Sequence, residues 1–240
     1  MNEVNWQEFS AALAMLGLTP QESHRERFAL YCALLQEYNE RVNLTAIVDE
    51  GEIWRKHFLD SLSSLLVLPR RGSGIDIGSG AGFPGLPLAI VCEDLQFTLL
   101  DSLRKRVGFL QEVIDKLSLG ERVVALHGRA EDLAHLESMR GKFDFAVSRA
   151  VAKFAVLCEL SLPFVKTGGL FIAMKGPRAH EEIEEAGNAV RRLGGGKAWI
   201  VPWQLPGSME ERVLVVVPKE FPTEKRYPRR AGTPEKNPLR

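Results

Sequence analysis

No stretch of the 240-residue chain reaches the roughly 18–20 consecutive apolar residues of a membrane-spanning helix, so a helical membrane protein is excluded. The opening MNEVNWQEFSAALAMLG carries acids where a secretion signal would carry positive charge, which points to the cytoplasm. Cysteine is scarce. Cys32, Cys92 and Cys158 stand far apart among apolar neighbours, in neither a disulfide framework nor a metal-ligand spacing, and read as small core residues. The Asn43-Leu44-Thr45 glycosylation triplet has no secretion signal to give it meaning. Net charge is absent too. The 31 Lys and Arg balance 31 Asp and Glu, which excludes a protein that grips polyanions over its whole surface.

That balance is uneven along the chain. Residues 219–240 hold seven basic side chains (Lys219, Lys225, Arg226, Arg229, Arg230, Lys236, Arg240) against three acids, which leaves a deficit of four on the remainder. Such a tail is either a solvated end or an arm that contacts RNA. Its Pro222, Pro228, Pro234 and Pro238 argue against a helix.

Residues 1–70 read as helices. Asn5 can cap the first, with Glu8 three residues on, and Gly17 ends it. Thr19-Pro20 opens a second, in which Phe28, Tyr31, Leu34, Leu35 and Tyr38 recur at helical spacing. Asp49 can cap a third, whose Ile53, Trp54, Phe58, Leu62, Leu65 and Leu66 form an apolar stripe up to Pro69.

Residues 71–218 alternate differently. Short apolar runs at 74–77, 97–100, 123–126, 143–147, 169–174, 199–201 and 212–217 are separated by helical stretches such as 102–117 and 151–162. The alternation predicts an α/β fold, a doubly wound and mostly parallel seven-stranded sheet covered on both faces. No helix separates the last two runs, so they should close the sheet edge as an antiparallel hairpin. The expected organisation is a helical extension (1–70), a ligand-binding α/β domain (71–218) and the basic tail (219–240).

The strongest local signal is the loop from Gly74 to Gly85, Gly-Ile-Asp-Ile-Gly-Ser-Gly-Ala-Gly-Phe-Pro-Gly, between a strand and an apolar helix. Read literally, Gly80, Gly82 and Gly85 match a dinucleotide fingerprint, a weak signal by itself. The acids decide. Asp76, two residues before Gly78, would repel a pyrophosphate but suits the ammonium and sulfonium of S-adenosylmethionine. Asp101 ends the second strand, where a carboxylate can accept hydrogen bonds from ribose hydroxyls of either ligand. His127-Gly-Arg-Ala-Glu131 follows the third strand, where adenine would lie, although Glu131 could equally favour a helix start. Arg149 ends the fourth, as an ion-pair partner or as a contact to cofactor or substrate.

These segments, and others, resemble the bacterial small-subunit ribosomal RNA guanine-N7 methyltransferases, the RsmG or GidB family. The matching stretches are Asn43-Leu-Thr-Ala-Ile47, Lys56-His-Phe-Leu-Asp-Ser-Leu62, Asp76 to Gly85 and Leu99-Leu-Asp-Ser-Leu-Arg-Lys-Arg106. They continue with Arg129-Ala-Glu131, Ser148-Arg-Ala150, Lys175-Gly176 and Arg229 to Leu239, where Ala231 replaces an expected proline. The glycine loop alone indicates a class I S-adenosylmethionine-dependent methyltransferase; the other stretches narrow it. The resemblance implies that Gly78, Phe83, Ala130, Glu131 and Arg149 contact the cofactor. Asp76, Gly80 and Asp101 join them from the loop and strand-tip reading.

The implied substrate is N7 of a guanine in 16S ribosomal RNA, within a small subunit or an assembly intermediate, and the implied enzyme a monomer. N7 bears an exposed lone pair, so no general base is named and no metal is expected; Arg149 is the one side chain with a possible catalytic contribution. Candidate RNA contacts are Arg55, Lys56, Arg104, Lys105, Arg106, Lys175, Arg178, Arg229, Arg230 and Lys236. His57 is either an RNA contact or a satisfied histidine between Trp54 and Phe58. Two rivals remain: an NAD-dependent oxidoreductase, disfavoured by Asp76 and Pro84, and a non-catalytic RNA-binding module, disfavoured by the intact loop.

Overall fold

Alternation along the strands builds the molecule. The computed structural model describes residues 3–149, 152–206 and 209–239, with only the backbone of residues 3–5; Ala150, Val151 and Arg240 lie outside these. Seven strands, β1 (Gly72–Ile77), β2 (Leu95–Asp101), β3 (Val123–His127), β4 (Phe143–Arg149), β5 (Val165–Lys175), β6 (Trp199–Gln204) and β7 (Glu211–Pro218), form one sheet in the order β3-β2-β1-β4-β5-β7-β6. The first five are parallel. β7 runs antiparallel to both β5 and β6. Strand order reverses between β1 and β4, which opens a crevice at their carboxyl ends.

Successive residues of a strand point to opposite faces. Leu99, Phe145, Val147, Ile172, Leu214 and Val216 therefore join one core, and Leu100, Ala146, Phe171, Ala173, Val213 and Val215 the other. The first core is covered by α1 (Glu3–Met15), α2 (Glu22–Val42), the 50–66 helical segment, α5 (Gly85–Val91) and α6 (Arg104–Lys116). The second is covered by α7 (Ala130–Leu133), α8 (Phe154–Ser161), α9 (Ala179–Arg192), Tyr227 and Leu239. Residues before Pro69 thus share a core with the sheet.

The 50–66 segment changes pitch as it runs. It is α-helical over α3 (Glu50–Ile53), π-helical over Trp54–Leu59, α-helical again over α4 (Asp60–Leu62) and 3₁₀ over Ser63–Leu66. Asp49 caps it as expected, accepting the Glu52 N–H at 2.9 Å. Two other expected starts shift. α1 begins at Glu3, ahead of Asn5, and α2 begins at Glu22, with Gln21 rather than Thr19 at its N-cap. The tail also corrects an expectation. It contains a one-turn helix, α10 (Thr233–Lys236), with Pro234 in its first turn. Proline is tolerated there because its missing N–H would have no helical acceptor.

The tail is clamped rather than free. Arg140 donates to the carbonyls of Thr223, Glu224 and Tyr227, and His135 bonds the Pro228 carbonyl at 2.8 Å. Arg229 grips Glu159, which is wholly buried, through its backbone N–H (2.8 Å), Nε (2.9 Å) and Nη2 (2.7 Å).

Candidate functional site

Gly78, Gly80 and Gly82 take φ of 72°, 58° and 98°, which lets the loop fold back over the tips of β1 and β2. Asp101 ties it down. One carboxylate oxygen accepts the Gly80 N–H at 2.9 Å and the other the Leu103 N–H at 2.8 Å. Above lies a cavity of about 500 Å³ whose wall includes Gly78, Gly80, Phe83, Asp101, Arg106 and Arg149.

Asp76 does not reach it. The expectation that this carboxylate faces the ligand is corrected: the side chain is fully buried under the loop, where Oδ2 accepts the Gly85 N–H at 2.9 Å. That N–H opens α5 and has no acceptor within the helix, so the carboxylate turns inward to meet it. Gly85 is required here, because a Cβ would lie 2.3 Å from Leu99 and 2.9 Å from Asp76. Burial pushes the Asp76 carboxyl up to about 7.

Ala130 and Glu131 stand at the tip of β3 and are not part of the cavity wall. Ala130 is buried, and Glu131 accepts the N–H of Gly232 from the tail at 3.0 Å. The tail thus engages one oxygen of the carboxylate that was expected to contact the cofactor.

The other wall comes from the helical extension. Arg149, at the tip of β4, donates to the Lys56 carbonyl (3.1 Å) and Asp60 Oδ2 (3.2 Å), and lies 3.2 Å from His57 Nδ1. Its guanidinium sits 4.8 Å over the Phe83 ring. It is an ion-pair partner that also lines the cavity. His57 Nδ1 stands 3.2 Å from both the Arg149 guanidinium, a donor, and the Lys56 carbonyl, an acceptor, and Nε2 lies 2.7 Å from Thr45 Oγ1. Burial and the Arg149 charge push His57 down to about 3, leaving it neutral. His57 stacks on Phe83 (4.6 Å, 25°) instead of lodging between Trp54 and Phe58. Phe83 and Phe58 both stack on Tyr31 and pack on each other, at centroid distances of 5.6, 5.0 and 5.9 Å, and the Tyr31 hydroxyl donates to the Ala81 carbonyl.

A second cavity of about 420 Å³ opens on the far side of Arg149 and His57. Its wall includes Lys56, Asp60, Met174, Lys175 and Arg212. Burial raises the Asp60 carboxyl, against the pull of Arg149 and Arg212.

Of the expected RNA contacts, Arg104, Lys105, Arg178, Arg230 and Lys236 are exposed. Arg106 turns instead to Asp101, at 3.5 Å, beside the first cavity. Lys175 bonds the Ala152 carbonyl (2.9 Å) and Glu182 (2.8 Å), and Arg55 and Lys56 pair with Glu52. Arg229 is held by the buried Glu159. Thr45, Asp60 and Arg212 were missed as site residues. The signal available for Asp60 was a carboxylate set inside an apolar helical stripe.

The sheet order and the glycine loop at its reversal define the fold of class I S-adenosylmethionine-dependent methyltransferases. Solved structures agree in fold: a putative O-methyltransferase from Klebsiella pneumoniae (TM-score 0.53, 17% identity, 80% of this chain and 90% of that one) and a predicted O-methyltransferase from Agrobacterium tumefaciens (TM-score 0.53, 19%, 66% and 79%). Residues 24–202 match the family described as rRNA small subunit methyltransferase G, or GidB. Proteins named ribosomal RNA small subunit methyltransferase G are 48% identical in Oenococcus oeni (98% of either chain) and 43% identical in Lactobacillus johnsonii (98% of this chain, 100% of that one). The chain belongs to this GidB family.

Proposed function

We propose that the protein transfers a methyl group from S-adenosylmethionine to N7 of a guanine in 16S ribosomal RNA. The observation that carries this reading is the pair of cavities that meet at Arg149 and His57, one above the glycine loop and one beside Asp60 and Lys175.

The first cavity suits the cofactor. Gly78 and Gly80 present backbone without side chains, Phe83 offers a ring edge, and the Asp101 oxygens, each holding one N–H, keep further lone pairs for ribose hydroxyls. S-adenosylmethionine, when bound, supplies an electrophilic methyl on a sulfonium. The second cavity would hold the target base. N7 attacks through a lone pair and surrenders no proton, so the walls need no base. Neutral His57, with a partner on either nitrogen, offers none. The protein's contribution is alignment: the Arg149 clamp fixes the partition between the two sites.

In this reading residues 71–218 bind the cofactor, 1–70 wall the target cavity and 219–240 brace the far face. The exposed Arg104, Lys105, Arg230 and Lys236 steer RNA, presented by a small subunit or an assembly intermediate, to a monomeric enzyme in the cytoplasm. No described helix is long and apolar enough to cross a membrane.

The test is methyl transfer from labelled S-adenosylmethionine to small subunits lacking their own modification, followed by mapping of the labelled base. Label at N7 of one guanine is expected. Label at another atom, or none from a cofactor-binding preparation, would overturn the reading.

A further inference from the structure

Asp60 is nearly buried, with 5% of its surface exposed. Its Oδ2 is engaged by Arg149, but Oδ1 has no hydrogen-bond partner; the nearest cation is Arg212, whose Nε stands 3.7 Å away. Leaving a buried carboxylate oxygen unbonded is costly, and native proteins retain such atoms where something else completes them. Among the described residues one other carboxylate oxygen shares this state, Asp76 Oδ1. Asp76 lies under the loop and lines neither site cavity, whereas Asp60 lines the second.

An ionised carboxylate only accepts hydrogen bonds. The group that completes it must donate, and it must fit a cavity of about 420 Å³, a size suited to a small ligand. Among nucleobases, guanine alone carries two adjacent donors on its Watson–Crick edge, N1–H and the 2-amino group. Adenine and cytosine each present an acceptor beside their amino group, and uracil one donor between two acceptors. A guanine whose Watson–Crick edge meets Asp60 turns its opposite edge, the one bearing N7, away from this carboxylate and leaves N7 unengaged by it, while Arg149 stays within 3.2 Å of the same carboxylate. O6, between those edges, then falls beside the Arg149 guanidinium.

We infer that Asp60 is the residue that selects guanine, accepting N1–H and the 2-amino group of the target base in the second cavity. The inference rests on the guanine-N7 reading above and adds the specificity determinant to it. Lys56 and Lys175 on the same wall are paired with Glu52 and Glu182, and Arg212 divides itself between Glu210 and Asp60, which leaves Asp60 Oδ1, buried beside the cavity and without a hydrogen bond, as the unfilled valence of this wall.

The experiment compares two substrates and two enzymes. Small subunits are reconstituted with guanosine or with inosine, which lacks the 2-amino group, at the mapped target position. kcat/KM is measured for the wild type and for Asp60→Asn, whose side-chain oxygen can still accept from Arg149. The wild type should favour guanosine about ten- to hundredfold, the range for losing a hydrogen bond to a charged group. D60N should bring that ratio close to one. A purely structural Asp60 would lower both rates and leave the ratio intact, which would overturn the inference, as would a wild type indifferent to inosine. Where D60N does not fold, as its melting curve reports, Asp60→Glu serves: it keeps the charge and moves the oxygens by one methylene, and the ratio should again collapse. Product mapping separates the two levels. A wild-type label on guanine N7 with an unchanged ratio in D60N defeats the Asp60 assignment alone; a label on another base or atom defeats the guanine-N7 reading and this inference with it.

Discussion

Single residues in this protein carry unusual protonation states, and Asp76 is the most exposed to test. Its carboxyl is pushed up to about 7 by burial beneath the glycine loop. In the unfolded chain an aspartate releases its proton near pH 4. Between those two values the folded chain keeps a proton that the unfolded chain has lost. The associated stability is complete below the unfolded value and is lost as pH rises through the folded one. An asparagine in its place would not titrate. The melting temperature of Asp76→Asn relative to wild type should therefore improve between about pH 5 and about pH 8. A difference that stays constant over that interval would place the Asp76 carboxyl in the ordinary range.

Among the elements, the tail departs furthest from its sequence. Its basic residues suggested an RNA arm, yet Arg229 neutralises the wholly buried Glu159. Removing one partner of a buried pair strands the other charge, at a cost of about 3–5 kcal/mol. Arg229→Ala should lower the melting temperature sharply, whereas Arg230→Ala, at an exposed position, should leave it nearly unchanged. Equal effects in thermal melts would show the clamp to be dispensable. The strands and their order of alternation were legible because period-two burial writes itself into Leu99-Leu100 and Phe145-Ala146-Val147. The glycine loop was legible for a local reason also, its backbone demands. What could not be read depends on where side chains turn once the chain has folded. Asp76 turns to Gly85, Glu131 meets Gly232, and Arg149 meets Lys56, His57 and Asp60, more than eighty residues away. The π-helical pitch at Trp54–Leu59, which precedes Asp60, has no periodic signature either.

At the scale of the whole molecule, charge neutrality confines RNA binding to local patches. Under the proposed function, Arg104 and Lys105, exposed at the start of α6, form one such patch beside the cavity lined by the glycine loop. Each phosphate neutralised on single-stranded RNA adds about 0.7 to the slope of log affinity against log salt. Replacing both with alanine should weaken RNA binding and shallow that slope by about 1 to 1.5, measured by titration across salt concentrations. An unaltered slope would remove them from the footprint. The partition between the cavities has a consequence for the traffic through them. Arg149 and His57 belong to both walls, so an occupant on one side that shifts them reshapes the room on the other. Such coupling is reciprocal: the factor by which cofactor alters the enzyme's hold on RNA equals the factor by which RNA alters its hold on cofactor. Under the proposed function, exchange of a methyl-bearing donor for a spent one on one side changes the hold on RNA on the other only as far as the two donors differ in how they place Arg149 and His57.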